Sequence, residues 1–155
     1  MALRDFSKPF SVEVDNNLPL GDTLYKNAFI SAINQMGSTY VEGSEQHIKI
    51  AFSSPCTCTS TDTGCTPSIP NAYIKICKQI VDPVSVGESP QEAVSFVVLH
   101  ELGHVWGKKE HALCNEHRIM SPSYGCLYKG QHLKYQLQDI EDICSAGKVI
   151  GGVCK

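Results

Sequence analysis

One segment of this 155-residue chain concentrates residues that can do chemistry: His100-Glu101-Leu102-Gly103-His104, set in an otherwise apolar stretch. On a helix, positions four apart differ by only ~40° around the axis, so both imidazoles project to the same side and can share one metal ion. Neutral imidazole suits zinc, and two histidines leave room for a third protein ligand and a water, the arrangement of a catalytic zinc site. Glu101, next to the first ligand, is placed to act as general base on a zinc-bound water, whose pKa the metal lowers to about 7. Gly107 follows His104 by three residues and lets the chain leave the helix in a left-handed turn, which can bring a further ligand back. Downstream, Ile119-Met120-Ser121-Pro122 offers a methionine whose soft side chain can lie beneath the metal.

These residues need a rigid support. Ser89-Pro90-Gln91-Glu92 reads as a helix start, with Ser as cap, Pro at the first helical position and Glu placed to close a capping box. The helix then continues through residues 93–106. Phe96, Val97, Val98, Leu99 and Leu102 make it apolar on all sides, so it is expected at the centre of the domain. Residues 9–15 alternate apolar and polar side chains as a half-buried strand does. Asp22 is expected to cap a helix with Tyr25, Phe29, Ile33 and Met36 on its inner face and Gly37 as terminator. Residues 48–52 and 72–77 read as strands, with weaker candidates at 39–41 and near Ile80. The Ser, Thr, Pro and Cys-rich residues 53–71 are too polar for a core element and read as a cross-linked surface loop. Leu133, Leu137, Ile140, Ile143 and Cys144 suggest a last helix, with Gly147 as its stop.

The run His100-Glu101-x-x-His104-x-x-Gly107, a following histidine and the methionine turn together resemble the metzincin superfamily of zinc endopeptidases. Met120-Ser121-Pro122 and the segment Gln138-Asp139-Ile140-Glu141-Asp142-Ile143 are similar to the matrixin type. The resemblance implies an α/β (α+β) zincin fold: a twisted, mostly parallel sheet with one antiparallel edge strand, two long helices and a small C-terminal subdomain holding one helix. Residues 1–155 would form a single catalytic domain, divided into 1–107 with the active-site helix and 108–155 with the methionine turn. Substrate would pair with the edge strand, for which 72–77 is the candidate. The third ligand is expected three residues after the glycine. That position is Glu110, with His111 one step later, so His111 is the expected ligand after a one-residue insertion and Glu110 the alternative. If so, Lys108, Lys109 and Glu110 should project into solvent. His117 is a distant third candidate for that ligand and reads first as a solvent-exposed loop residue, while His47 and His132 read as surface histidines. Trp106 reads as core packing, and Tyr124 as either a packing residue or a contact to substrate or oxyanion.

Eight cysteines, at 56, 58, 65, 77, 114, 126, 144 and 154, point to disulfides and an oxidising compartment, secreted or periplasmic. Cys56 and Cys58 are too close for an easy mutual bridge, while Cys114 and Cys126 flank the methionine turn and can brace it. No C-x-x-C occurs, which argues against zinc ribbons and thioredoxin-like chemistry. Residues 1–20 lack the apolar core of a signal peptide, so Met1 is read as the start of a domain whose leader lies outside it. Thirteen Lys and Arg against sixteen Asp and Glu give a net charge of -3, leaving no basic excess for nucleic acid. No apolar run approaches the ~20 residues of a membrane span. The expectation is a monomeric zinc endopeptidase with one catalytic Zn²⁺, acting on protein or peptide; a zinc exopeptidase and a non-catalytic binding module of the same fold are the alternatives.

Overall fold

A computed structural model describes residues 3–53, 64–65 and 73–155, so Cys56, Cys58 and most of the polar loop lie outside the described residues. The fold is mixed α/β. A short pair, β1 (Arg4–Asp5) and β6 (Val149–Ile150), runs parallel and brings the two ends of the chain together. The main sheet holds β2 (Phe10–Val14), β3 (Gln46–Ser53), β5 (Tyr73–Cys77) and β4 (Gly64–Cys65), in the order β2-β3-β5-β4. β2, β3 and β5 are mutually parallel, and β4 runs antiparallel to β5. Ile48 and Ile50 on β3 and Ile74 and Ile76 on β5 are fully buried on one face, as the period of two requires.

That face packs on α1 (Asp22–Gln35) and α3 (Pro90–Val105), the two long helices. α1 begins one residue earlier than the Asp22 cap expected from sequence. Gly21, at φ 95°, is the cap residue, and Asp22 sits in the first turn, where its charge still favours the helix dipole. Gly37 ends the helix with φ +92°, as expected. Tyr25, Phe29, Ile33 and Met36 all lie in the core.

Three sequence expectations need correction. Among the described residues β5 is an interior strand, held on one side by β3 and on the other by β4, so the strand expected at 72–77 is not the sheet edge where it is described, at Tyr73–Cys77. The edge is β4, a two-residue strand inside the segment read as pure loop; its pairing with β5 is a long-range contact that local polarity does not encode. The strand expected near Ile80 is a 3₁₀ turn, Lys78–Ile80, running into the short helix α2 (Val81–Ser85). Pro83 suits a first helical turn and would remove a donor from a strand ladder. The weak candidate at 39–41 amounts to a single parallel bridge between Tyr40 and Phe10.

In the C-terminal part, Leu113 to Cys126 makes two 3₁₀ turns, Cys114–Glu116 and Tyr124–Cys126, closed by the disulfide Cys114–Cys126. α4 (Leu137–Ser145) follows, capped reciprocally by Gln136 and Asp139. Leu133 precedes this helix, and Leu137 points outward at 72% exposure, so the expected apolar stripe is incomplete. Ile143 is buried on the inward face beside Asp139, and Leu133, Ile140 and Cys144 pack against the core as expected. A second disulfide, Cys144–Cys154, ties α4 to the chain end, while Cys65 and Cys77 are also disulfide-bonded. Trp106 fills the core, edge-on to Phe6 at 4.9 Å between centroids. Among the described residues, no helix is long and apolar enough to cross a membrane.

Candidate metal centre

α3 starts as its sequence dictates: Pro90 occupies the first turn and Ser89 accepts the Glu92 N–H at 3.0 Å. The reciprocal half of the expected capping box is absent, because Glu92 accepts the Tyr124 hydroxyl proton at 2.6 Å instead. The helix ends in a Schellman turn. Lys108 N–H donates to Gly103 O and Gly107 N–H to His104 O, with Gly107 at φ +115°. A Cβ at Gly107 would lie 2.8 Å from both Ala146 and Lys148 side chains, so the position requires glycine on two counts. This turn reverses the chain and brings His111 back over the helix.

Three imidazoles converge there. His104 Nε2 lies 3.2 Å from His100 Nε2 and 3.3 Å from His111 Nε2. His100 is buried, His104 half-buried and His111 exposed, so the site opens to solvent on the His111 side. The tautomers of the first two follow from their partners. A carbonyl can only accept, so His100 Nδ1–H donates to Ile119 O at 2.7 Å and His104 Nδ1–H to Lys108 O at 2.6 Å. Both Nε2 atoms then carry lone pairs, and these face one another with nothing to share between them. A cation bound between them would resolve that repulsion. Two nitrogens bound at ~2.0 to 2.1 Å to one tetrahedral zinc stand ~3.3 Å apart, which matches the observed separations.

Electrostatics favour the neutral, ligating forms. Burial pushes the His100 imidazole down to about 3, with His104 and His111 adding to the effect against the opposing bond to Ile119. Burial also lowers His104, opposed by its bond to the Lys108 carbonyl and reinforced by the positive charge that His111 and Lys108 would present. The donor set therefore fits a divalent metal, and three imidazoles with an open position suit a catalytic ion.

Glu101 is only 6% exposed and follows His100 directly on α3. The edge strand passes close above it: a Cβ on Gly64 would lie 3.6 Å from Glu101 Cγ and 2.6 Å from Val97 Cγ2. Met120 is fully buried and presses on the opposite side of the helix backbone, where a Cβ at Gly103 would collide with its sulfur. Thus Met120 underpins the turn of α3 that joins the two motif histidines. Tyr124 stands off the cluster, its ring edge-on to Phe96, which in turn stacks on His100. Its phenol is directed at Glu92, and burial together with the Glu92 and Glu88 carboxylates raises its pKa.

Glu110 and Lys109 are exposed and take no part in the histidine cluster. Lys108, expected in solvent, is instead folded back onto Asp142 at 3.2 Å. His47 and His132 are surface residues as expected. His117 is not a plain surface residue. It is half-buried, stacks on Tyr128 at 3.8 Å between centroids and donates from Nδ1 to Cys126 O.

Sequence reading missed the carbonyls of Lys108 and Ile119, because backbone acceptors carry no residue signature. It also missed Arg118, which is buried with its guanidinium 3.2 Å from both Asp139 and Asp142. Burial raises the Asp139 carboxyl, opposed by the Gln136 N–H, Arg118 and the Met120 N–H. An Arg beside the methionine turn and two aspartates three apart on a helix were the available signals.

No protein-family model matches this chain, and no curated protein sequence does. Among solved structures, it is similar to one described as "GM1 bound form of the ECX AB5 holotoxin", at 12% identity, covering 96% of this chain and 74% of that one, with a TM-score of 0.45. That likeness is too distant to define a shared fold.

Proposed function

We propose that this chain is a zinc-dependent endopeptidase of the metzincin superfamily, a matrixin-like catalytic domain in which His100, His104 and His111 hold one Zn²⁺. The observation that carries the reading is the convergence of three imidazole Nε2 atoms beside a buried glutamate on the same helix. In this reading residues 1–107 present α3 under the sheet edge, and residues 108–155 supply the third histidine and the methionine turn.

When bound, zinc supplies Lewis-acid polarisation of a substrate carbonyl and acidification of a water. The protein's own residues do the rest. The Lys108 and Ile119 carbonyls fix the ring orientations of His104 and His100, so that both Nε2 lone pairs point to one place. Glu101, buried beside His100 on α3, takes the proton of the attacking water and returns it to the departing amine nitrogen. Hydrolysis proceeds without a covalent enzyme intermediate. An extended peptide aligns along β4, which among the described residues is paired on one side only, and the missing side chain at Gly64 lets that strand approach Glu101 closely. The disulfides support an extracytoplasmic setting.

Elemental analysis after zinc reconstitution and dialysis should give one zinc per chain. The loaded protein should cut an unfolded protein at internal bonds, mapped by mass spectrometry. Chelation should abolish cleavage and added zinc restore it. A stoichiometry near zero would overturn the proposal, and release of terminal residues alone would replace it with an exopeptidase.

A further inference from the structure

Two of the three clustered imidazoles are oriented by main-chain oxygens, and a main-chain oxygen stays in place only if its loop does. His104 depends on the carbonyl of Lys108, just past the end of α3, and His100 on that of Ile119, in the methionine turn. These loops are separate in sequence, yet one carboxylate reaches both. Asp142 Oδ2, on α4, lies 3.2 Å from Lys108 Nζ and accepts from Arg118 Nη1 at 3.2 Å, and Arg118 is the residue before Ile119. Gln138 Nε2 holds the second oxygen, Oδ1, at 3.0 Å. The neighbouring Asp139 adds a second carboxylate against Arg118. Neither end of the bridge is free in solvent: the side chains of Lys108 and Asp142 are 19% and 22% exposed and that of Arg118 is 6% exposed.

We infer that Asp142 is a positioning residue for the metal centre: by pairing with Lys108 and Arg118 it fixes the two backbone carbonyls that aim His104 and His100. This rests on the proposed zinc reading of the histidine cluster. It gives α4, which holds no metal-binding side chain, a role in metal affinity. Partners one step behind a ligand typically change metal affinity 10- to 100-fold when removed, and Asp142 stands one step further back, so a loss of about tenfold is expected.

The test is zinc affinity by chelator competition, with the stability of the metal-free protein measured alongside. Asp142→Ala should weaken zinc about tenfold and Lys108→Met severalfold. Lys108→Arg, which keeps the charge on Asp142, should stay within about twofold of the parent. The Lys108→Met/Asp142→Ala double variant should bind no more weakly than Asp142→Ala alone, because the two act in series. Lys49→Met, which breaks an exposed pairing with Glu13 and Asp15, should leave affinity unchanged. Exchange of the His104 Nδ1 proton, followed by NMR in the metal-free protein, should accelerate in Lys108→Met; a merely structural contact would leave it as it is. Because Lys108 is at the surface end of the bridge, that variant keeps the inference testable if Asp142→Ala does not fold. Parental zinc affinity in both Asp142→Ala and Lys108→Met, or in Lys108→Met alone if the other is unfolded, would overturn this inference and leave the zinc site standing. Failure of the parent protein to bind zinc would overturn both.

Discussion

His111 is the exposed member of the cluster and can be removed without opening a buried cavity, which makes it the sharpest probe of the site. It is exposed, whereas His100 is buried between Phe96 and the methionine turn, so an alanine at 100 would mix lost coordination with a cavity. His111→Ala deletes one of three protein nitrogens, the one 3.3 Å from His104 Nε2. Zinc bound by four protein ligands contributes roughly 10 to 16 kcal/mol, or about 3 kcal/mol per ligand if shared evenly. Loss of one such share corresponds to a fall in affinity on the order of 10²-fold. Glu110→Ala, one residue away, removes an exposed carboxylate outside the cluster and should change affinity less than about twofold. Competition against a chromophoric chelator reads both variants directly, and denaturant unfolding of the metal-free proteins should show His111→Ala as stable as the parent. Equal affinities, or a larger loss in Glu110→Ala, would refute the assignment of the third ligand and the reading of the one-residue insertion after Gly107.

Gly64→Ala should destabilise the fold by about 1 to 3 kcal/mol in chemical denaturation, since its Cβ would come 2.6 Å from Val97 Cγ2 and 3.0 Å from the Lys75 carbonyl; an unchanged midpoint would show that β4 does not lie against α3. Acid should weaken the metal-free protein. His100 is near 6.5 when unfolded and held down at about 3 when folded, so the unfolded chain takes up the proton first and stability falls as pH drops through that interval. His104, also lowered, acts in the same direction. His100 alone should cost roughly 2 kcal/mol between pH 7 and pH 5, and equal unfolding free energies at the two pH values would contradict its burial. Replacing both Cys114 and Cys126 by serine opens a loop of sequence separation 12 and should cost about 2 to 3 kcal/mol, with weaker zinc binding because Ile119 and Met120 lie inside that loop.

The parts of this molecule governed by local rules were legible from sequence. The Ser89-Pro90 start of α3, the same-face spacing of His100 and His104, the inner face of α1 and the glycine exits at 37 and 107 all appear where residue types placed them. Interactions spanning long sequence distances were not. Whether β5 is an edge or an interior strand depends on two residues of a polar segment pairing back onto it, and nothing in residues 73–77 reports that. Glu92 satisfied the local rule for a capping box, but Tyr124, 32 residues later, offered a better donor. A lysine in a turn usually extends into solvent, and the carboxylate that recruits Lys108 is on another helix, out of reach of any local rule. Gly103 carried a usable signal: glycine inside a helix costs about 1 kcal/mol relative to alanine, so it calls for a packing reason, and Met120 is that reason.

In the proposed mechanism Glu101 works as the base beside a three-histidine zinc site. That role is tested most directly by Glu101→Ala, assayed for metal content and for cleavage of a quenched fluorescent peptide on the same preparation. If the carboxylate acts as base and not as ligand, the variant should keep one zinc per chain while hydrolysis falls by ~10² to 10⁴ or more. A zinc-loaded variant that cleaves at close to the parental rate would contradict the account.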